Sequence, residues 1–287
     1  MLTLLHISDL HFGPPYAPAD GEALLRVAPE LRPDVVVASG DFTQRAKAAQ
    51  FAAARAFLDR LPRVPLVTVP GNHDIPLYRV FVRLWTPYAL YRRYISQELD
   101  CVLRRDDAVV VALNTTAPLS AVTNGRIRPW QLDFCADAFR DAPLGAARIV
   151  VAHHHFAPAP DYDNEHDVMR RAKAALDRFS ELDVDLILGG HLHRAYIGNS
   201  LDVYPSKSRK SGTVIVQSGT TTSRRGRARE REKNTFNLIR IGPDVIRISH
   251  FMYFQELDGF APVSRHIFPR RDRGYLAGCD GTSTEQP

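Results

Sequence analysis

The chain has 287 residues, 45% hydrophobic and 24% charged, the make-up of an ordinary soluble globular protein with length for one large core. Cysteine occurs only at Cys101, Cys135 and Cys279, a scattered set that gives neither a disulfide framework nor a thiolate metal site and fits a reducing, cytoplasmic setting. The net charge of +5 (37 Lys and Arg against 32 Asp and Glu) favours phosphate-bearing partners, but only mildly.

The first apolar run, Leu2–Ile7, reads as a buried strand. It has no basic segment before it and is too short for a signal peptide, and no later run reaches spanning length. Neither export nor membrane spanning is expected, and peripheral attachment stays open. Asp9-Leu10-His11 follows directly. A helix is expected over 21–31, a strand over Val35–Ala38 leading into Gly40-Asp41, and a helix over 46–61 with Phe51, Ala54, Phe57, Leu58 and Leu61 on one stripe. A strand over 65–69 runs into Gly71-Asn72-His73-Asp74.

The segment 75–99 is dense in aromatics and arginine, with helical spacing interrupted at Pro87. Spaced aromatics are most often core. A helical lid, a homodimer contact or a surface that meets lipid are the alternatives for this insertion. Strands at 109–113, 149–152 and 186–188 and helices at 130–139 and 168–179 continue the alternation, which argues for an α/β layered fold. His153-His154-His155 and Gly190-His191-Leu192-His193 end two of these strands. Asn114 and Asn124-Gly125-Arg126 read as turn formers before pocket residues.

Beyond Gly190 the pattern changes to three strands, 213–217, 236–241 and 245–251, the last two joined as a hairpin through Gly242-Pro243-Asp244. The arginine-rich loop 224–233 is interrupted by Glu230 and Glu232 and carries no aromatic, so a solvated loop is expected and nucleic acid is not. Residues 1–277 read as one domain and 278–287 as a disordered tail.

Each chemistry-bearing cluster lies at or just after a strand end, where an open α/β sheet brings distant residues to one crevice. Asp, Asn and His offer oxygen and imidazole donors without sulfur, a set suited to Mn, Fe, Zn or Co. The D-x-H and H-x-H spacings are explained by extended backbone, in which side chains i and i+2 share a side. Glycines 40, 71, 189 and 190 allow sharp turns and close approach.

The ordered series D-L-H, G-D, G-N-H-D, H-H and G-H-L-H resembles the calcineurin-like metallophosphoesterase family, nearest its bacterial branch of class III cyclic-nucleotide phosphodiesterases. The resemblance implies an α/β four-layer sandwich of two mixed β-sheets flanked by helices. It also implies two divalent metal ions, one held by Asp9, His11, Asp41 and His193, the other by Asp41, Asn72, His153 and His191. His154 stands as the alternative to His153, because the family often reads His-His-Pro where this chain has three histidines and Phe156. Hydroxide bridging the metals would attack phosphorus, with His73 assisting the leaving group and Asp74 orienting His73. The expected substrate is a 3′,5′-cyclic nucleotide or similar small phosphodiester. A UDP-diacylglucosamine-type pyrophosphate, a nuclease role and a metal-free scaffold are the alternatives.

Overall fold

The computed structural model describes residues 1–120, 123–157, 168–204, 212–226 and 233–270. In chain order the strands are β1 (Leu2–Ile7), β2 (Val35–Ala38), β3 (Leu66–Thr68), β4 (Cys101–Arg104), β5 (Ala108–Leu113), β6 (Ala147–Ala152), β7 (Leu186–Gly189), β8 (Tyr196–Asn199), β9 (Val214–Gln217), β10 (Thr235–Ile241), β11 (Val245–Phe254) and β12 (Gly259–Pro269). The helices are α1 (Pro18–Val27), α2 (Ala48–Leu58), α3 (Val80–Trp85), α4 (Ala89–Tyr94), α5 (Pro129–Arg140), α6 (Ala172–Glu181) and α7 (Ser200–Val203).

Two six-stranded mixed sheets form, in the orders β12-β11-β10-β1-β2-β3 and β4-β5-β6-β7-β9-β8. Their facing residues make one dry layer, with Leu4, Val37 and Ile239 from the first sheet meeting Val110, Ile149 and Leu188 from the second. The outer face of the first sheet packs on α1, α2 and α4 through Leu5, Leu24, Phe51, Phe57 and Tyr91. That of the second packs on α5 and α6 through Val150, Ile187, Phe139, Leu176 and Phe179. The central strands are therefore buried on both faces, which is why their sequences run apolar without alternation. The result is the expected four-layer α/β sandwich.

The structure adds three strands that sequence patterning did not suggest, β4, β8 and β12. All three lie at sheet edges. Edge strands need neither a continuous apolar run nor a full ladder, and β12 accommodates Pro262 and Pro269. The segment 75–99 divides. In α4, Tyr91 is wholly buried and its hydroxyl donates to Thr68 Oγ1 at 2.9 Å, whereas no residue of α3 is buried. The core reading thus holds for Tyr91 and fails for Tyr78, Phe81 and Trp85, which are exposed. The tail 278–287 and residues 227–232 of the arginine-rich loop lie outside the described residues.

Candidate metal centre

Parallel pairing of β1 with β2 and β2 with β3, and of β5, β6, β7 and β9 in the other sheet, points the carboxyl ends of these strands the same way within each sheet. Loops from β1 (Asp9, His11), β2 (Asp41), β3 (Asn72, His73, Asp74), β6 (His153) and β7 (His191, His193) meet there, so the site draws on both sheets.

Four donors, one each from Asp9, His11, Asp41 and His193, lie within 4.8 Å of one another, all buried. His11 Nε2 stands 3.0 Å from His193 Nε2 and 3.6 Å from both Asp9 Oδ1 and Asp41 Oδ2, and His193 Nε2 is 3.3 Å from Asp9 Oδ1. A second set shares Asp41: His153 Nε2 is 3.5 Å from Asp41 Oδ2 and 3.2 Å from Asn72 Oδ1, which lies 3.0 Å from His191 Nδ1. Donors about 2.1 Å from one cation sit roughly 3.0–3.4 Å apart, so these separations suit a metal shell. Asp9 Oδ1 and Asp41 Oδ2, the oxygens facing these groups, are buried without a hydrogen-bond donor, a costly state unless a cation completes them.

The other atoms of these side chains are tied back. Asp9 Oδ2 accepts from Ser8 Oγ at 2.7 Å and from the His191 amide at 3.0 Å, and Asp41 Oδ1 accepts from the His73 amide at 2.8 Å. His153 Nδ1 lies 2.8 Å from the Ser39 carbonyl, which can only accept. That contact puts the proton on Nδ1 and leaves Nε2 as a donor pair for metal. His73 Nδ1 is held in the same way by the Gln44 carbonyl at 3.0 Å, leaving its Nε2 free.

Asp74 behaves differently from expectation. Its carboxylate accepts from the amides of Phe42, Thr43 and Gly71 and from Thr43 Oγ1, and it does not touch the His73 ring. Thr43 Oγ1 also donates to the His73 carbonyl, so Asp74 fixes the loop that carries His73 while Gln44 orients the imidazole.

The extended-backbone account of D-x-H and H-x-H also fails. Asp9 (φ 53°), His11 (48°), Asp41 (53°), His191 (76°) and His193 (55°) all occupy the left-handed region, at about 1 kcal/mol or more each. A straight strand would send these side chains to its faces, whereas the left-handed turns aim them past the strand end. Close packing finishes the job: a Cβ on Gly71 would stand 2.1 Å from Asp41 Oδ1, and one on Gly40 (φ 99°) 2.6 Å from His153 Nδ1.

Protonation follows from these contacts. Burial works to raise the carboxyls of Asp9 and Asp41, but neighbouring imidazoles outweigh it and hold both well below the usual range. Burial lowers His11 to about 4 and, with the adjacent histidines, puts His154 and His191 well below 6.5. For His153 burial is opposed by Asp41 and Asp9, which raise it to about 9. Burial, then Asp41, lifts Asp74 to about 7. Ionised Asp9 and Asp41 beside neutral His11 and His191 are protonation states that bind cations, and His153 releases its proton when a cation takes its Nε2.

Both histidines of the ambiguous pair are buried at the site. His153 reaches Asp41 and Asn72, whereas His154 Nδ1 pairs with Thr115 Oγ1 at 2.8 Å and a ring nitrogen of His154 comes within 4.8 Å of donor atoms of His153 and His191. Residues missed from sequence are Ser8, Ser39, Thr43, Gln44, Thr115 and Thr221, whose hydroxyl accepts from the Ser8 amide at 3.0 Å. Ser8 and Ser39 directly precede Asp9 and Gly40-Asp41, and that adjacency was a usable signal. Nothing local marks the others.

A family model described as calcineurin-like phosphoesterase matches residues 2–195. The chain is 30% identical over 295 aligned positions to a cAMP/cGMP dual specificity phosphodiesterase of Mycobacterium tuberculosis, covering 96% of this chain and 85% of that protein. Among solved structures, purple acid phosphatase PPD1 from yellow lupin (Lupinus luteus) superposes with TM-score 0.70 at 13% identity, over 94% of this chain and 54% of that one, so this chain spans about half its length. PhoD superposes with TM-score 0.64 at 12% identity, over 92% and 71% of the two chains. At such identities these two matches speak to fold alone.

Proposed function

Because the chain belongs to the calcineurin-like phosphoesterase family and is a metal-dependent phosphoesterase, we propose that its substrate is a 3′,5′-cyclic nucleotide or similarly small phosphodiester. The observation that carries the catalytic reading is the meeting of two donor sets at Asp41 Oδ2. The substrate reading is supported by the likeness to the mycobacterial phosphodiesterase over nearly the whole chain.

In this reading Asp9, His11, Asp41 and His193 would hold one divalent ion, and Asp41, Asn72, His153 and His191 the other. Mn, Fe, Zn and Co all suit the donor set. Two such ions, when bound, neutralise phosphoryl oxygens and lower the pKa of water. The chain's own residues do the rest. Ser8 and the His191 amide turn Asp9 so that Oδ1 faces inward, and the His73 amide does the same for Asp41. His73, edge-on to His11 at 4.9 Å between ring centroids, keeps its Nδ1 proton on the Gln44 carbonyl, so it gives the departing alkoxide oxygen a proton from Nε2 as the doubly protonated imidazolium and is left neutral.

The test reconstitutes metal-free protein with Mn, Zn, Fe or Co and assays cyclic nucleotides, aryl phosphodiesters, aryl monoesters and UDP-diacylglucosamine. Hydrolysis of cyclic nucleotides with the highest kcat/KM, abolished in Asp41→Ala together with bound metal, is expected. Preference for the lipid pyrophosphate over cyclic AMP would overturn the substrate reading. Full metal content in Asp41→Ala would overturn the site.

A further inference from the structure

Helix α3 and the residues before it form an apolar ridge that the fold leaves in water. Tyr78 is 72% exposed, Val80 46%, Phe81 76%, Leu84 46% and Trp85 72%, and the Phe81 and Trp85 rings stack at 5.9 Å. A contiguous exposed patch of this kind marks an interaction surface.

Directly beneath lies a pocket of about 390 Å³, lined among others by Arg83, Tyr88, Ala117, Ser120, Arg126 and Arg128 and by no acidic residue. Its lining residue Arg126 is linked through Thr115 to His154 at the edge of the metal centre. The Arg126 amide donates to the Thr115 carbonyl at 2.8 Å, and Thr115 Oγ1 pairs with His154. Arg128 is spent on the carbonyls of Asn114 and Thr116. Arg83 donates to the Leu77 carbonyl, and among the described residues neither Arg83 nor Arg126 has an ion-pair partner. Arg79, Arg92 and Arg93 likewise lack one, and Glu98 is the only acidic residue within 75–99.

We propose that this face docks on an anionic phospholipid surface, the α3 ridge entering the headgroup region and Arg83 and Arg126 taking a lipid phosphate. Charge decides between this occupant and a second copy of the chain. A two-fold contact through the ridge would set the same unneutralised arginines against one another, whereas an anionic bilayer satisfies them while it buries Phe81 and Trp85. Tryptophan and tyrosine flanked by arginine match the interfacial layer, where rings sit at headgroup depth and guanidinium groups reach phosphate. The proposal is independent of which phosphoester is hydrolysed.

The test is co-sedimentation of the full-length, metal-loaded chain with vesicles of phosphatidylcholine alone and of phosphatidylcholine mixed with phosphatidylglycerol. Partition onto the anionic vesicles that weakens with salt is expected, and in a Trp130→Phe background the remaining indole, Trp85, should shift to the blue on binding. Phe81→Ser with Trp85→Ser should abolish partition while leaving hydrolysis of a water-soluble aryl phosphodiester unchanged, which shows that the variant folds. Arg83→Gln and Arg126→Gln should each lower partition about fivefold. No partition, equal partition onto both vesicle types, or a Phe81- and Trp85-dependent dimer that ignores vesicles would each overturn the proposal.

Discussion

Ser8 and Ser39 hold other groups in place: the Ser8 hydroxyl turns Asp9, and the Ser39 carbonyl sets the tautomer of His153. His73 is aimed in the same manner by Gln44, and its role can be separated from the metals. His73→Gln should keep both ions, while kcat for an alkyl leaving group falls by about 10²–10⁴ and kcat for a good aryl leaving group falls far less. Equal losses on the two substrates would remove His73 from leaving-group protonation. The neighbouring histidines separate by metal count. His153→Gln should lose one ion per chain and His154→Gln none, measured by elemental analysis after gel filtration, because His153 faces Asp41 Oδ2 and Asn72 Oδ1.

At the scale of elements, β1, β2, β3 and β7 are each followed by a left-handed or tightly packed turn, and glycine sets the clearance after β2, β3 and β7. Gly71→Ala should cost at least one metal and most activity, since the new Cβ would fall on Asp41 Oδ1 and push the shared carboxylate away. Metal content and secondary structure by circular dichroism check it, and a fully loaded variant would show that the loop yields. How much of this was legible beforehand also differs by element. Continuous apolar runs such as Val35–Ala38 and Ala108–Leu113 identify strands buried on both sides, and the donor clusters stand at their ends in the sequence itself. Edge strands β4, β8 and β12 carry no such run, and φ at Asp9 or His191 is set by contacts to other loops, so neither could be read locally. Gln44, Thr115 and Thr221 act through backbone proximity that only the assembled sheets create.

For the whole molecule, buried imidazoles outside the centre set an acid limit. His250, bonded through Nδ1 to Asn237 Oδ1 at 2.9 Å, is lowered to about 4, chiefly by burial and then by His266. Its folded value lies below the unfolded value of about 6.5, so its contribution is complete above pH 6.5 and is lost as pH falls toward 4. Thermal melts of the metal-loaded protein should show Tm dropping across that window, with a shallower drop in His250→Gln. An identical slope in the variant would place the acid sensitivity elsewhere. Cation binding acts on the same scale. At a hundredfold excess over Kd, metal should add about 2.7 kcal/mol to stability, read as a Tm that falls on chelation and returns with Mn or Zn.

The amino ends of the strands carry a counterpart to the centre. Arg270, just after β12, reaches Asp185, just before β7, at 3.2 and 3.3 Å, and also bonds the carbonyls of Gly242 and Gly145. The sandwich is thus riveted at its base by a guanidinium and laced at its rim by the donors that would hold the ions. Stripped of those ions, it resembles a book whose spine is sewn while the like charges of Asp9 and Asp41, both on one cover, loosen its open edge. Opening at the rim alone would let cations enter and leave without dismantling the layers, and hydrogen exchange in the chelated protein should quicken around Gly40, Gly71 and Gly190 well before it quickens at β10 and β11.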